Sequence, residues 1–351
     1  MAFINLSPQF GNSPSGIHLE KISKSPNYDE GQFINLIPTQ MDMNFHNGMG
    51  VMHKWLFDTK GRKPSKPLPV MFTKNGNQPP PNPHSRITWY GHSAIMLEMD
   101  RLTLFLDPML GSASSPVSFM SKRFKYEKPI DINSVPKLDA VILSHDHYDH
   151  LDYPTIMKLK ERVTHFYTPL GVGSHLKRWG IDESIITELD WWESVEIGNL
   201  KLIAAPARHF SGRGLSDRNK TQWASWIING ANERIYFSGD SGYGPHFKEI
   251  GDKFGPFDFA MIECGQYNEL WEAIHMMPEQ TIQASLDLGA NQMMPIHWSA
   301  FNLSLHSWTE PVVRASKAAH KHNVKMITPI IGEQFSPAFS KAGNFWWSEL
   351  L

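Results

Sequence analysis

The chain has 351 residues, with 33 Lys and Arg against 35 Asp and Glu and a formal net charge of -2. This balance excludes an overall attraction to nucleic acid or to anionic membranes. The single cysteine, Cys264, excludes an internal disulfide and a cysteine-rich zinc site. No stretch resembles a secretory signal or approaches the ~20 apolar residues of a transmembrane segment. We therefore expect a cytoplasmic protein, with peripheral attachment to a membrane and homo-oligomer formation left open.

Residues 1–85 are rich in Pro, Gly, Asn and Ser, and they include short apolar pieces such as FINLIP and VMHKWLF and a terminal QPPPNP run. This composition predicts an N-terminal extension that is not an independent domain. Its aromatic residues favour packing against the rest of the protein, since disordered tails carry fewer of them. Nothing in its sequence indicates a membrane-docking role.

Residues 86–351 alternate apolar, β-branched runs with stretches of helical periodicity, and this pattern predicts an α/β layered fold. Several runs are apolar at consecutive positions, which is typical of strands that are covered on both faces. The predicted strands are ITWYGHSAIMLEM, LTLFLD, LDAVILSH, LKLIAAPARHF, WASWIING, RIYFSGD, FDFAMIEC and MMPIHW; the predicted helices are TIQASLDLGA and PVVRASKAAHKH.

Four potential metal ligands follow the apolar run AVIL within six residues: His145, His147, Asp149 and His150. In an extended segment, residues two apart project to the same side, so His145 and His147 can hold one ion. Asp149 and His150, beyond a bend, can face a second ion.

Three more potential ligands, His209, Asp240 and His297, each follow a separate predicted strand. Loops at the carboxyl ends of strands are where layered α/β folds place their chemistry. The seven side chains are five imidazoles and two carboxylates. If Asp240 bridges two ions, each ion has three further ligands of its own, which leaves room for water. The alternative is that these residues form unrelated polar loops.

Two divalent ions about 3.5–4 Å apart can share a water, lower its pKa and present a hydroxide that attacks a phosphoryl or carbonyl group. The predicted reaction is hydrolysis without a Ser or Cys nucleophile. A set of histidines and carboxylates favours Zn²⁺ and is also compatible with Fe or Mn.

The HxHxDH motif, followed by a distant His, Asp and His, resembles the metallo-β-lactamase superfold, a four-layer αββα sandwich. Within that superfold the chain looks like the branch of N-acyl-phosphatidylethanolamine-hydrolysing phospholipase D and its bacterial relatives. The similarity rests on TWYGHSAIMLEMDRLTLFLDP, SPVSF, KRF, AVILSHDHYDHLD, APARHF, FSGDSGYG, IHWSAFNL and TEPV.

The resemblance implies that one ion is bound by His145, His147 and His209, the other by Asp149, His150 and His297, with Asp240 between them. It also implies that His275, in AIHMMPEQ, acts beside the substrate head group, where an imidazole can polarise the phosphate or assist the leaving group. The alternative for His275 is a helix-start histidine without a catalytic part.

Three other positions bear on the site. Asp107, after LTLFLD, can hold a ligand histidine by its second nitrogen or simply form a turn before Pro108. His92, in YGHS, can likewise support the site, although we expect an ordinary buried histidine bonded to backbone. Four tryptophans can line a channel for acyl chains, although tryptophans more often lie in a core: Trp191, Trp192, Trp223 and Trp226.

The resemblance implies a phosphodiesterase of phospholipase D type that acts on an N-acyl phospholipid or a related amphiphile. The segment Tyr267–Trp271 lacks the Pro-Arg pair expected from those relatives, and this leaves phospholipid specificity open. The alternative enzyme is a lactonase or another small ester or phosphate hydrolase. A redox di-iron protein is disfavoured because His147 stands where such relatives carry Glu. A non-catalytic binding module is also disfavoured, because all seven ligand positions hold residue types that can bind a metal.

Overall fold

The computed structural model describes residues 7–72 and 84–350. The QPPPNP run from Gln78 to Pro83 lies outside these residues. The segment before the first large sheet contains two α-helices, α1 (Gly16–Ile22) and α2 (Phe45–Phe57). Between them, β1 (Tyr28–Asp29) pairs antiparallel with β2 (Gln32–Phe33).

Side chains of this N-terminal segment contact the rest of the protein. Ile22 and Phe33 are buried in the same apolar core as the large sheets. The Asn35 side chain donates to the backbone oxygen of His209 at 2.8 Å and accepts from its backbone nitrogen at 3.0 Å. One of the predicted metal loops is therefore held from outside by the N-terminal segment.

The first large sheet begins with an antiparallel meander and continues as a parallel sheet. Strands β3 to β5 pair antiparallel, and β5 to β8 pair parallel. In chain order, β3 to β8 are Arg86–Trp89, Ile95–Met99, Leu102–Leu106, Ala140–Ile142, Phe166–Pro169 and Ile186–Leu189.

The second large sheet has six strands, antiparallel from β9 to β12 and parallel from β12 to β14. In chain order, β9 to β14 are Ser194–Ile197, Leu200–Ala205, Ser225–Asn229, Arg234–Phe237, Phe259–Glu263 and Met293–Ile296. A last strand, β15 (Gln334–Phe335), returns to the first sheet and pairs antiparallel with β3.

Five helices follow along the chain: α3 (Tyr153–Leu159), α4 (Gly173–Arg178), α5 (His246–Phe254), α6 (Pro278–Asp287) and α7 (Glu310–His322). Short 3₁₀ helices lie at Pro8–Phe10, Ile132–Ser134, Lys160–Arg162, Glu183–Ile185, Glu269–Trp271, Pro337–Phe339 and Trp346–Leu350. None of the helices in the described ranges is both long and apolar enough to cross a bilayer.

The burial of alternate side chains shows how the layers stack. In β5, Leu104 and Leu106 belong to the core between the two sheets, whereas Phe105 points to the other face. There it joins a second core with Ile156 of α3 and Leu176 of α4. Since successive strand residues point to opposite faces, both faces of this sheet are covered. Residues of α5, α6 and α7 join the core of the second sheet, so the predicted αββα sandwich is confirmed.

One predicted strand is divided in two. The run ITWYGHSAIMLEM forms β3 and β4, joined by a tight turn in which Gly91 and His92 have φ of 86° and 56°. A left-handed backbone of this kind ends a strand and suits glycine. The apolar residues on both sides of the turn conceal it in the sequence.

Candidate metal centre

The segment after β6 carries the local motif. His145 lies three residues beyond Ile142, and the loop ends where the Asp152 side chain accepts from Thr155 N at the start of α3. The Tyr148 hydroxyl donates to the backbone oxygen of Arg213 at 2.6 Å. The loop is thus fixed at its end by a helix cap and at its middle by a hydrogen bond.

A first group of potential ligands consists of His145, His147, His209 and Asp240, whose ligand atoms all lie within 4.8 Å of one another. His147 Nδ1 is 2.8 Å from His145 Nε2 and 3.2 Å from His209 Nε2. Asp240 Oδ2 is 3.8 Å from the Nε2 atoms of both His145 and His209. Three imidazole nitrogens and a carboxylate oxygen therefore surround one point.

A second group consists of His92, Asp149, His150 and His297, again with ligand atoms within 4.8 Å. Asp149 Oδ2 lies 3.3 Å from His297 Nε2 and 3.6 Å from His150 Nε2. Asp240 Oδ2 is 3.1 Å from the Nε2 atoms of both histidines. Because the same oxygen also faces the first group, Asp240 lies between the two groups.

The donor set fits cations. Asp240 Oδ1 and His150 Nε2 are buried polar atoms without a hydrogen-bond partner among the described residues. Such orphaned atoms cost free energy unless something else binds them. Imidazole and carboxylate groups that converge on two neighbouring points are the ligands that Zn²⁺ prefers, and Fe and Mn also accept them.

Four of the histidines make a further contact through the ring nitrogen that faces away from the centre. Such contacts orient the ring and leave the inward nitrogen to bind a ligand once the ring is neutral. The Nδ1 partners are Ser144 Oγ for His145 at 2.9 Å, Asp107 Oδ2 for His150 at 2.7 Å, Ile274 O for His209 at 3.0 Å and Gly265 O for His297 at 3.3 Å. Asp107 therefore holds a histidine of the predicted ligand set, as one of its two sequence interpretations expected.

Burial and neighbouring charges set different protonation states in the two groups. Burial lowers the pKa of His145 and of His209 well below the usual value, so both rings are neutral near pH 7. Burial alone would also lower the pKa of His297, but Asp240 and a hydrogen bond to Asp149 outweigh it and raise this pKa to about 10. Asp240 likewise raises the pKa of His150 against the effect of burial.

His275 lies beside both groups. Its ring centroid is 5.0 Å from that of His209 and 5.0 Å from that of His297, and its Nδ1 is 3.0 Å from Glu263 Oε2. Glu263 is fully buried at the end of β13 and also accepts from Met276 N at 2.7 Å. With Nδ1 bound to Glu263, His275 has Nε2 free for other contacts.

Two further residues belong to the centre: Glu263, which was not predicted, and His92, for which a supporting role was the less favoured interpretation. Asp240, Glu263, His275 and His297 form a third group of potential ligands. The missed signal was the position of Glu263 at the end of a predicted strand, as for the other site residues. The expectation that the His92 ring bonds to backbone is wrong, because its Nε2 lies 2.8 Å from Asp149 Oδ2.

Access to the centre is one-sided. The side chains of Asp149 and His275 each keep 13% of their surface exposed, whereas Asp240 keeps 2%. The exposed edge of the centre is therefore formed by His147, Asp149 and His275. Trp191, Trp223 and Trp226 lie in the apolar core, so they do not line this edge.

Comparisons with known proteins show the family and the fold of the chain. A family model described as a β-lactamase superfamily domain matches residues 103–298. An uncharacterized protein of Mycobacterium tuberculosis is 38% identical over 336 residues, covering 92% of this chain and 88% of that protein. N-acyl-phosphatidylethanolamine-hydrolyzing phospholipase D 1 of Caenorhabditis elegans is 34% identical over 226 residues, covering 61% of this chain and 64% of that protein.

A solved structure shows the same fold at low sequence identity. It is a metallo hydrolase from Ignicoccus hospitalis, with a TM-score of 0.53 and 20% identity, and the match covers 72% of this chain and 97% of that one. The family model spans more than half of the chain, from β5 to the residue after His297. The chain therefore belongs to the β-lactamase superfamily domain family and is a metal-dependent hydrolase of the metallo-β-lactamase fold.

Proposed function

We propose that the protein is a dinuclear phosphodiesterase of phospholipase D type that acts on an N-acyl phospholipid or a related amphiphile. The observation that carries the proposal is the pair of ligand groups that adjoin at Asp240 and are partly exposed at His147, Asp149 and His275. The similarity to the nematode phospholipase supports the phosphodiester as substrate class.

In this proposal each cation has three ligands of its own and shares Asp240. When bound, a pair of divalent cations activates a water and polarises a phosphoryl oxygen. Zn²⁺ is the proposed metal. One cation is held by His145, His147 and His209, and the other by Asp149, His150 and His297.

Asp149 and His275 have the proposed catalytic roles. Although burial acts in the opposite direction, His150 and hydrogen bonds from His297 and His92 hold the pKa of Asp149 well below its usual range. Its carboxylate is therefore ionised and can orient the attacking water. His275, held through Nδ1 by Glu263, can donate a proton from Nε2 to the oxygen of the leaving alcohol.

The second candidate is hydrolysis of a lactone or another small ester. It is favoured by the segment Tyr267–Trp271, which lacks the Pro-Arg pair expected of the phospholipase relatives. This segment precedes His275 and contributes a short 3₁₀ helix, Glu269–Trp271, and the backbone oxygen of Trp271 accepts from His275 N at 3.3 Å. A changed segment here would alter substrate choice and leave the metal ligands intact.

A substrate panel separates the two candidates. Protein loaded with Zn²⁺ is assayed on bis-p-nitrophenyl phosphate, on a micellar N-acyl phosphatidylethanolamine and on a γ-lactone, with and without a chelator. We expect chelator-sensitive turnover of both phosphodiesters. Lactone turnover without phosphodiester turnover would overturn the proposal.

Two histidine variants make the test specific. His297→Ala should lose metal and turnover, whereas His322→Ala, at the exposed end of α7, should keep both. Metal content is measured by mass spectrometry for each variant. Equal turnover in the wild-type protein and His297→Ala would remove this residue from the ligand set.

A further inference from the structure

Helix α2 lies over a cavity on the surface of the protein. None of its side chains is buried, and just before it Asp42 N donates to Leu270 O at 2.8 Å. A cavity of about 520 Å³ separates α2 from the segment that leads to His275. Its lining includes His46, Gly50 and Lys54 of α2.

The two faces of α2 have opposite chemistry. At 3.6 residues per turn, Phe45, Met49, Met52 and Leu56 form one stripe, because they are spaced by four, three and four residues. These side chains are exposed by 87%, 48%, 50% and 61%. The residues that line the cavity lie on the opposite side of the helix and are mainly polar.

This orientation is the reverse of that in an ordinary surface helix, where the apolar stripe faces the core. An amphipathic helix with its apolar stripe toward solvent is the geometry of a helix that lies in a membrane interface. Two further observations, charge and area, decide between a lipid surface and a second copy of the chain.

The charge of the segment is complementary to anionic lipid. Between Phe45 and Lys66 the sequence has five basic residues and one acidic residue, Asp58; of the basic residues, Arg62 is buried. Lys60, Lys63 and Lys66, in the turn after α2, are exposed. Basic residues beside an amphipathic helix attract anionic head groups, whereas two like-charged segments of identical copies repel each other.

The area of the stripe is small for a dimer interface. At about 200 Å² for each large side chain, the exposed fractions of the four stripe residues leave about 500 Å² of apolar surface, and the exposed parts of Trp55 and Phe57 bring the total for α2 to about 700 Å². A stable dimer buries about 800 Å² on each partner. A bilayer needs no such minimum, since each apolar side chain that enters the interface adds to the affinity.

We propose that α2 docks the protein on an anionic lipid bilayer through Phe45, Met49, Met52 and Leu56. The choice of lipid also rests on the proposed function, because an N-acyl phospholipid resides in a bilayer. The other side of α2 borders the cavity that the Tyr267–Leu270 segment also lines.

The test measures binding of the full-length, Zn²⁺-loaded protein to sedimented vesicles. The vesicles contain phosphatidylcholine alone or phosphatidylcholine mixed with phosphatidylglycerol. The variant Met49→Glu/Leu56→Glu places charges on the stripe. Ile17→Glu, an 85% exposed residue of α1, is the matched control. Sedimentation equilibrium reports the oligomeric state, and bis-p-nitrophenyl phosphate reports turnover of a soluble substrate.

We expect the wild-type protein and Ile17→Glu to bind the mixed vesicles more tightly than phosphatidylcholine alone. The double variant should lose about tenfold or more in vesicle partitioning, because two large apolar side chains no longer enter the interface. Its turnover of the soluble phosphodiester should equal that of the wild-type protein. Vesicle binding without turnover of any phosphodiester would uphold the docking surface and refute the proposed function alone.

Three results would overturn the inference. The first is a wild-type protein that does not bind mixed vesicles. The second is a double variant that partitions like the wild-type protein. The third is a double variant that changes from dimer to monomer while its vesicle binding is unaltered, because the stripe would then be an interface between copies.

Discussion

Asp107→Asn tests how far a residue outside the proposed ligand set controls the centre. Asp107 is fully buried after β5, and its carboxylate accepts from Ser144 N at 2.7 Å and from the Ser144 hydroxyl. It also lies 2.7 Å from His150 Nδ1. An amide supplies one acceptor oxygen where the carboxylate supplies two, so one of these partners must face an N–H group.

The expected consequence falls on His150. If the amide nitrogen faces Nδ1, the ring must carry its proton on Nε2, the atom that lies 3.1 Å from Asp240 Oδ2 and that we propose binds metal. A partner at the second nitrogen of a ligand histidine typically contributes about 10–100-fold to metal affinity. This factor corresponds to about 1.4–2.8 kcal/mol, which agrees with about 1.5–3 kcal/mol for a hydrogen bond to a charged group.

The assay is metal binding by competition with a chelator, followed by turnover at saturating Zn²⁺. We expect the affinity of one of the two cations to fall about 10–100-fold and that of the other to change less. Asp139→Asn is the matched control, because Asp139 accepts from Thr103 N at 2.8 Å at the far end of β5. Unchanged affinity for both cations in Asp107→Asn would refute the tautomer argument.

Three further predictions concern the open side and the charges of the centre. His275→Ala should keep both cations and lose about 10²–10⁴-fold in phosphodiester turnover; full turnover would remove His275 from the mechanism. Glu263→Gln should lower kcat more than it changes KM, because Glu263 positions His275. The double variant Glu263→Gln/His275→Ala should have the same turnover as His275→Ala alone; a further loss of turnover in the double variant would contradict positioning by Glu263. Cation uptake near pH 7 should release protons, because the raised pKa values of His150 and His297 leave both rings protonated before they become ligands. The affinity for the cations should therefore fall as pH falls. Binding heats measured by calorimetry that are equal in buffers of different ionisation enthalpy would show that no proton is released and would contradict the prediction.

The sequence was informative wherever a residue and its strand are neighbours in the chain. His145, His147, Asp149 and His150 form one local motif, and three distant residues could be found because each follows an apolar run. The structure brings all seven into two adjoining groups. Their binding of metal stays a prediction.

The sequence was less informative where contacts between distant parts of the chain determine the position of a residue. His92 lies in a turn with a left-handed backbone, and only the folded chain brings its ring to Asp149. Glu263 ends an apolar strand with no ligand-like spacing around it. The stripe on α2 is visible as a periodic pattern, but a pattern does not tell which side of a helix faces the protein.

Strand direction explains why these residues meet. In the first sheet β3, β5 and β6 run in the same direction, and in the second sheet β10, β12, β13 and β14 do so as well. Every site residue apart from His275 ends one of these strands or follows it: His92, Asp107, the His145 to His150 motif, His209, Asp240, Glu263 and His297.

The strands that run in the opposite direction, β4, β9, β11 and β15, are followed by no residue of the centre. Strands that run the same way present their carboxyl ends at one edge of a sheet, and two stacked sheets can bring these edges together. A carboxylate or histidine at the end of such a strand is therefore a candidate for the centre whatever its sequence motif. By this rule Glu263 and His92 could have been predicted once the order and direction of the strands were known.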